Sequence, residues 1–267
     1  MAVDHSVVYG NTIQNNAGGI LVSDETGPTY QNVIAHNTVS DNALDCGITL
    51  ASHARAPNLP VGADYGVLNN TISHNVVSPN GYIGQGAGVG MFAPGPGAIM
   101  TANVVIDNVL RDNGIGGVTI HNHAAPGLNG VPAQAPPVNL SNLVISGNQI
   151  SGNAADNDDP LSPGPTGISI FSLVPVGGLV ISQNVFTSEV ADIVFNAPGG
   201  TIEAHLNSFG SNDIGLDAKA AGGFDGTQNW WGCPDGPGGV GCGTAAGAVY
   251  APSWLTAGPA PLPAPGQ

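Results

Sequence analysis

IAHNTVSDN at residues 34–42, followed by CGITLAS at 46–52, holds the pattern that decides the fold. The first segment has the form apolar-x-x-Asn-x-apolar-x-x-Asn. The same phrase recurs as VYGNTIQNN (8–16), ISHNVVSPN (72–80), VIDNVLRDN (105–113) and ISGNQISGN (145–153). ISQNVFTSE (181–189) is a weaker copy; AHLNSFGSN (204–212) and the run ending at Asn229-Trp230-Trp231 are degenerate ones. After the phrase comes a second short apolar segment, with a Gly before or within it in all but the last copy: GGILVS (18–23), AGVGMFA (87–93), GGVTIHN (116–122), TGISIFS (166–172) and ADIVFN (191–196).

In a strand, successive side chains point to opposite faces. Ile48 and Leu50, or Val118 and Ile120, therefore share a face, with Thr49 or Thr119 on the other. One such coil cannot bury its apolar face alone, but coils stacked about 4.8 Å apart can, and like residues then fall into columns. The pattern predicts an all-β fold, a right-handed parallel β-helix solenoid of about eight coils. The recurrent Asn belongs at the turns, where amide side chains can hydrogen-bond along the stack and the backbone turns left-handed. The following Gly is expected to serve the same backbone need. The framework Asn residues are 11, 37, 75, 108, 148, 184, 207 and 229. The shortest steps, 23 and 22 residues, read as the bare coil, and the longer ones as coils carrying polar, Pro/Gly-rich surface insertions at 52–66, 123–139 and 155–167. A β-sandwich would instead place two-residue Asn-Gly hairpins between its strands.

Composition agrees. Only 8% of the 267 residues are charged, against about 25% in an ordinary globular domain. Gly and Pro number 41 and 22, yet 42% of the chain is hydrophobic, which argues for a folded chain without helices. The net charge is −15, and Arg55, Arg111 and Lys219 are the three basic residues. Nucleic-acid binding needs cations to displace phosphate counterions, so it is excluded. An acidic polysaccharide would need bridging metal ions.

Cys233 and Cys242 flank PDGPGGVG and are expected to form a disulfide in an oxidising compartment, with Cys46 left as a buried thiol. No apolar run is long enough to span a membrane. MAVDHSVVYG lacks the charged and apolar regions of a signal peptide. The solenoid pattern is already running at residue 7, so the expectation is an extracellular or cell-surface module with flanking domains beyond it. Residues 1–255 are read as the β-helix, with a cap at about 229–255, and the Pro-rich 256–267 as a disordered tail.

Over roughly residues 7–232 the chain resembles the parallel β-helix repeat proteins of pectate-lyase-like architecture. NWWGCPDGPGGVGC (229–242) and YAPSWL (250–255) are similar to the segment that closes the helix in many bacterial extracellular proteins of this kind. That resemblance implies secretion, with Trp230 and Trp231 capping the last coil. It does not carry over a reaction. Lyases of this architecture use several Lys or Arg on the uronate, and here Arg55 alone is near a candidate site. The Asn-Thr-Asp, paired Asp and Gly-His-Gly motifs of polygalacturonase-type hydrolases are absent as a set.

Three constellations follow from stacking. Counting five residues from the first inward position of the second strand gives Glu25, His53, Pro94, His123 and Leu173. Asp24, Glu25, His53, Arg55, His121 and His123 thus gather at one edge. A His base, a carboxylate and an Arg suit hydrolysis or β-elimination, and the histidines with an acid suit a transition metal. A second column is His36, His74 and Asp107, each before a framework Asn. The third is Asp156, Asp158 and Asp159, carboxylates suited to Ca²⁺. Each set also reads as ordinary polar residues at turns and loops. Two functions remain: a non-catalytic extracellular rod or carbohydrate-binding module, and a polysaccharide-active lyase or hydrolase acting at the Asp24–His123 edge. Polysaccharide is the expected partner class, and Ca²⁺ the expected ion if there is one.

Overall fold

The computed structural model describes residues 3–53 and 65–259. Among these there is no helix, and the named strands pair in parallel throughout, in four sheets. Sheet A has six strands, from Val3–Asp4 to Val176–Gly177. Sheet B has nine, from Val7–Tyr9 to Val249–Tyr250. Sheet C has six, from Thr12–Gln14 to Val185–Thr187, and sheet D eight, from Ile20–Ser23 to Thr244–Ala246. The chain visits A, B, C and D in turn and then begins the next coil. This is the parallel β-helix solenoid that the repeat predicts.

The columns run in the predicted register. Ile20, Ile48, Val89, Val118, Ile168 and Ile193 stack along sheet D. Val8, Ile34, Ile72, Val105, Ile145 and Ile181 stack along sheet B. These rows meet inside the rod as one continuous core, where each fully buried aliphatic contributes about 1.5–3 kcal/mol.

The framework Asn form an amide ladder. Each Nδ2 donates to the Oδ1 of the next rung, from Asn11 to Asn37, Asn75, Asn108, Asn148, Asn184, Asn207 and Asn229, at 2.9–3.1 Å. The preceding residue is left-handed, with φ of 56° at His36, His74 and Asp107. A second ladder runs from Asn16 through Asn42, Asn80, Asn113 and Asn153 to Glu189. A third, Asn32–Asn70–Asn103, lies five residues upstream of the phrase and escaped it. The interior Asn are buried with their polar atoms paired, which is why burial there is affordable at all.

Four expectations need correction. The 26-residue step from Asn11 to Asn37 already holds a complete coil, including the sheet A strand Thr29–Tyr30. The 23- and 22-residue steps come after sheet A has ended, so they are coils that have lost a side. Of the Gly between sheets C and D, Gly81 is left-handed as expected, but those that open the sheet D strands, Gly117 and Gly167 among them, are not. They are required sterically: a Cβ would stand 2.7 Å from Ile150 Cγ2 at Gly117 and 2.6 Å from Phe186 Cδ1 at Gly167. The 155–167 insertion is not purely surface, since Asp156 and Asp159 are buried. Trp231 does not sit over the end as a lid. It is fully buried in the core, its ring 4.9 Å from that of Phe209.

The core also changes along the rod. It is aliphatic through most of the four-sided coils, gains Phe186 and Phe195 in the last of them, and then Phe209, Phe224 and Trp231 where the cross-section narrows. At that end Cys233 and Cys242 are joined by a disulfide, with Cα atoms 5.1 Å apart. Trp254 donates from Nε1 to the Pro234 carbonyl at 3.0 Å. Cys46 is a free buried thiol, pushed up to about 12 by burial. At the other end Val7, Tyr9 and Leu21 are more than half exposed, and the interior opens through a cavity of about 300 Å³ bordered by Val8, Ile20, Val22 and Ile34. Among the described residues no helix is long and apolar enough to cross a membrane.

Candidate functional site

The strand Val118–Asn122 carries the most developed polar site. Alternation sends Val118 and Ile120 into the core and Thr119 and His121 outward. Outward on this sheet is nevertheless not into water. The 155–167 insertion, pinned by an antiparallel bridge between Ala155 and Pro165, brings Asp156 onto His121 and leaves that side chain fully buried. Above and below it in the column stand Phe92 and Phe171, with ring centroids 5.6 and 6.2 Å from the imidazole.

His121 Nε2 lies 2.7 Å from Asp156 Oδ2, with neither side chain exposed. Burial raises the Asp156 carboxyl, but the hydrogen bonds from His121 and the Asp158 amide, with the charge that His121 carries when protonated, outweigh it and leave it below the usual carboxylate range. Asp156 is therefore an ionised acceptor, and Nε2 must be the donor. In the neutral imidazole Nδ1 is then a bare acceptor. It is buried, has no hydrogen-bond partner, and lies 3.7 Å from Asp158 Oδ2. His123 completes the group, its ring 5.6 Å from His121 and 5.2 Å from Phe171. Burial, then the neighbouring His121, hold the His123 imidazole below its ordinary value. One ligand atom each from His121, His123 and Asp158 lies within 4.8 Å of the others.

The predicted edge is thus split. Asp24 is buried and already committed, accepting from Ser52 Oγ at 2.9 Å and from the His53 amide at 2.8 Å. His53 has Glu25 4.0 Å from Nε2, and the Glu25 side chain is largely exposed. These three residues form one cluster. His121 and His123 form another, two coils away. The strand Val89–Phe92, which leads into Pro94, lies between the strands that carry them. Two rungs put roughly 9–10 Å between the clusters. Arg55 lies outside the described residues, as do 260–267 of the predicted tail.

The Asp156, Asp158, Asp159 set also divides. Asp156 faces His121, and Asp158 faces the open Nδ1. Asp159 accepts from the Leu161 amide and from Asn196 Nδ2 at 2.7 Å, one coil beyond Phe171. Burial pushes the Asp159 carboxyl up. The three carboxylates do not share a common focus of oxygens, the arrangement that a Ca²⁺ site needs.

His36, His74 and Asp107 do meet. Tyr9 stacks toward His36, His36 stacks on His74 at 4.9 Å and 17°, and His74 Nε2 is 3.8 Å from Asp107 Oδ2. All lie on the outside of the B-to-C corner, and His74 and Asp107 are each close to half exposed.

One group escaped the sequence reading. Glu189, Asp192 and Asp213 approach one another near the C-to-D corner. Burial pushes Glu189 up to about 7, partly offset by Asn153, and burial pushes Asp192 well up, with Asp213 adding to it. The signal was available for Glu189 alone, because ISQNVFTSE ends in Glu where the phrase demands Asn. In comparisons with known proteins, no family model, no curated protein and no solved structure matches the chain.

Proposed function

We propose that this chain is a non-catalytic rod of a secreted or cell-surface protein, a stiff spacer with a polar side able to contact glycan. The observation that carries the reading is the separation of the polar edge into two clusters. Acid–base catalysis needs its groups within hydrogen-bond reach of one reacting centre. Asp24 spends its oxygens on Ser52 and the His53 amide, while His123 faces His121, Asp158 and Phe171 two coils away. Charge supports the same reading. Lys219 is paired with Asp217 at 2.8 Å, so it is not free to hold a uronate. The Cys233–Cys242 disulfide fits an oxidising compartment. The likeness to pectate-lyase-like proteins and to the Trp-Trp-Gly-Cys closing segment belongs to this proposal as kinship in architecture, since a fold does not specify a reaction.

The test is a panel of neutral and acidic polysaccharides. Reducing ends and unsaturated products are assayed for wild type, His53→Ala and His123→Ala, with and without Ca²⁺ or Zn²⁺. The expected result is no product on any glycan. Turnover by the wild type that either substitution abolishes would overturn the rod in favour of an enzyme.

A further inference from the structure

We infer that His121, His123 and Asp158 form a binding site for one divalent transition-metal ion of the Zn²⁺ type, which ties the 155–167 insertion to the edge of sheet D. The argument begins with the orphaned nitrogen. A fully buried imidazole with an unpartnered Nδ1 is costly unless something occupies that lone pair. Asp156 holds the opposite nitrogen at 2.7 Å, and a carboxylate on the far side of a histidine is what fixes ring and tautomer in metal-binding histidines. His121 is therefore presented as a preset ligand, with its lone pair directed at the space that Asp158 and His123 border.

The remaining geometry is close. Zn²⁺ bonds of about 2.0–2.1 Å to nitrogen and oxygen place tetrahedral ligands about 3.3–3.5 Å apart. His121 Nδ1 and Asp158 Oδ2 are 3.7 Å apart, and all three ligand atoms fall within 4.8 Å. The fixed member is buried. The two that must close in, Asp158 by less than an ångström on His121 Nδ1, are exposed side chains, with the His123 ring against Phe171. Two imidazole nitrogens and one carboxylate select Zn²⁺, Cu²⁺, Ni²⁺ or Fe²⁺ over Ca²⁺, which prefers an all-oxygen shell. Three protein ligands also leave a coordination position for water at the exposed side.

His123→Ala and Asp158→Asn are suitable test substitutions, because both side chains lie at the surface and the metal-free fold should tolerate them. Metal-free wild type titrated calorimetrically with Zn²⁺ at neutral pH should bind about one equivalent, with Ca²⁺ failing to compete. Each substitution should weaken Zn²⁺ binding by at least ~10-fold, in line with losses seen when a metal site is disturbed. A His36→Ala/His74→Ala variant should bind as wild type does. Zn²⁺ should raise the melting temperature of wild type but not of the His123 or Asp158 variants, all of which should melt alike without metal. Absence of saturable binding, unchanged affinity in either single variant, or tighter binding of Ca²⁺ than of Zn²⁺ overturns the site.

Discussion

Two histidine sites on this rod lie in opposite surroundings. His36 and His74 stack on each other at the B-to-C corner, beside Asp107 and open to water. His121 lies on the outer face of sheet D, yet is sealed by an insertion that supplies Asp156. The coil repeat brings neighbours together in both places, so contact alone does not distinguish them. Desolvation does. An ion pair in water gains little, because solvent screens it and the side chains lose freedom. Inside protein the same pair cannot lose one partner without stranding the other. The insertion, which has no repeat of its own, is what turns a stacked histidine into a site.

The contrast can be broken most severely at Asp156. Replacing it by Ala leaves the His121 Nε2–H buried without an acceptor, and stability should fall by about 3–5 kcal/mol in urea denaturation. A loss under about 1 kcal/mol would mean that the insertion does not seal His121. Next in size is the interior Asn ladder. Asn75→Ala strands Asn37, Asn108 and the Ile34 carbonyl at once, for an expected loss of about 2–4 kcal/mol. Asn11→Ala, on the exposed first coil, should cost less than about 1 kcal/mol by the same measurement.

Glu189 sharpens the comparison from a third side, as a buried carboxylate with no cation beside it among the described residues. Its folded value of about 7 lies above its ordinary 4.5. The folded state thus holds its proton more tightly, and the stability this contributes is present below about pH 4.5 and lost as pH rises through 7. Glu189→Gln keeps an oxygen acceptor for Asn153 while removing the charge. It should stabilise the protein by about 1–2 kcal/mol above pH 8 and flatten the fall in stability between pH 4.5 and 7. Identical pH profiles for variant and wild type would remove Glu189 from the account. The smallest effect belongs to the open column, where His74→Ala should change stability by no more than about 0.5 kcal/mol. A drop of several kcal/mol there would erase the distinction between the two sites.

Much of the fold was legible because a strand has period two and the Asn phrase fixes its frame. The column Ile20, Ile48, Val89, Val118, Ile168 could be aligned by counting, and Pro94 already stood between His53 and His123. Sheet A was not legible. Its strands Thr29–Tyr30, Val67–Leu68 and Val176–Gly177 are two residues long, too short to alternate. Without them the three-sided coil passed for the standard one. The union of His121 with Asp156 was also hidden, since 35 residues and an irregular insertion separate them. Both residues were singled out, but in different sets, because counting along coils says nothing about where an insertion folds back.

The narrowing of the rod has an optical consequence. Trp230, Trp231 and Trp254, all the indoles of the chain, sit in its last coils, whereas the opposite end carries only tyrosines and an unfilled interior. Fluorescence emission therefore watches the tapered end alone, while circular dichroism weighs every rung equally. In a stack where each coil touches only its neighbours, loosening spreads from the weaker terminus. For the 267-residue chain, heating should bleach the dichroism before the indole emission shifts, and the lag between the two traces measures how far the rod unwinds before its tip lets go.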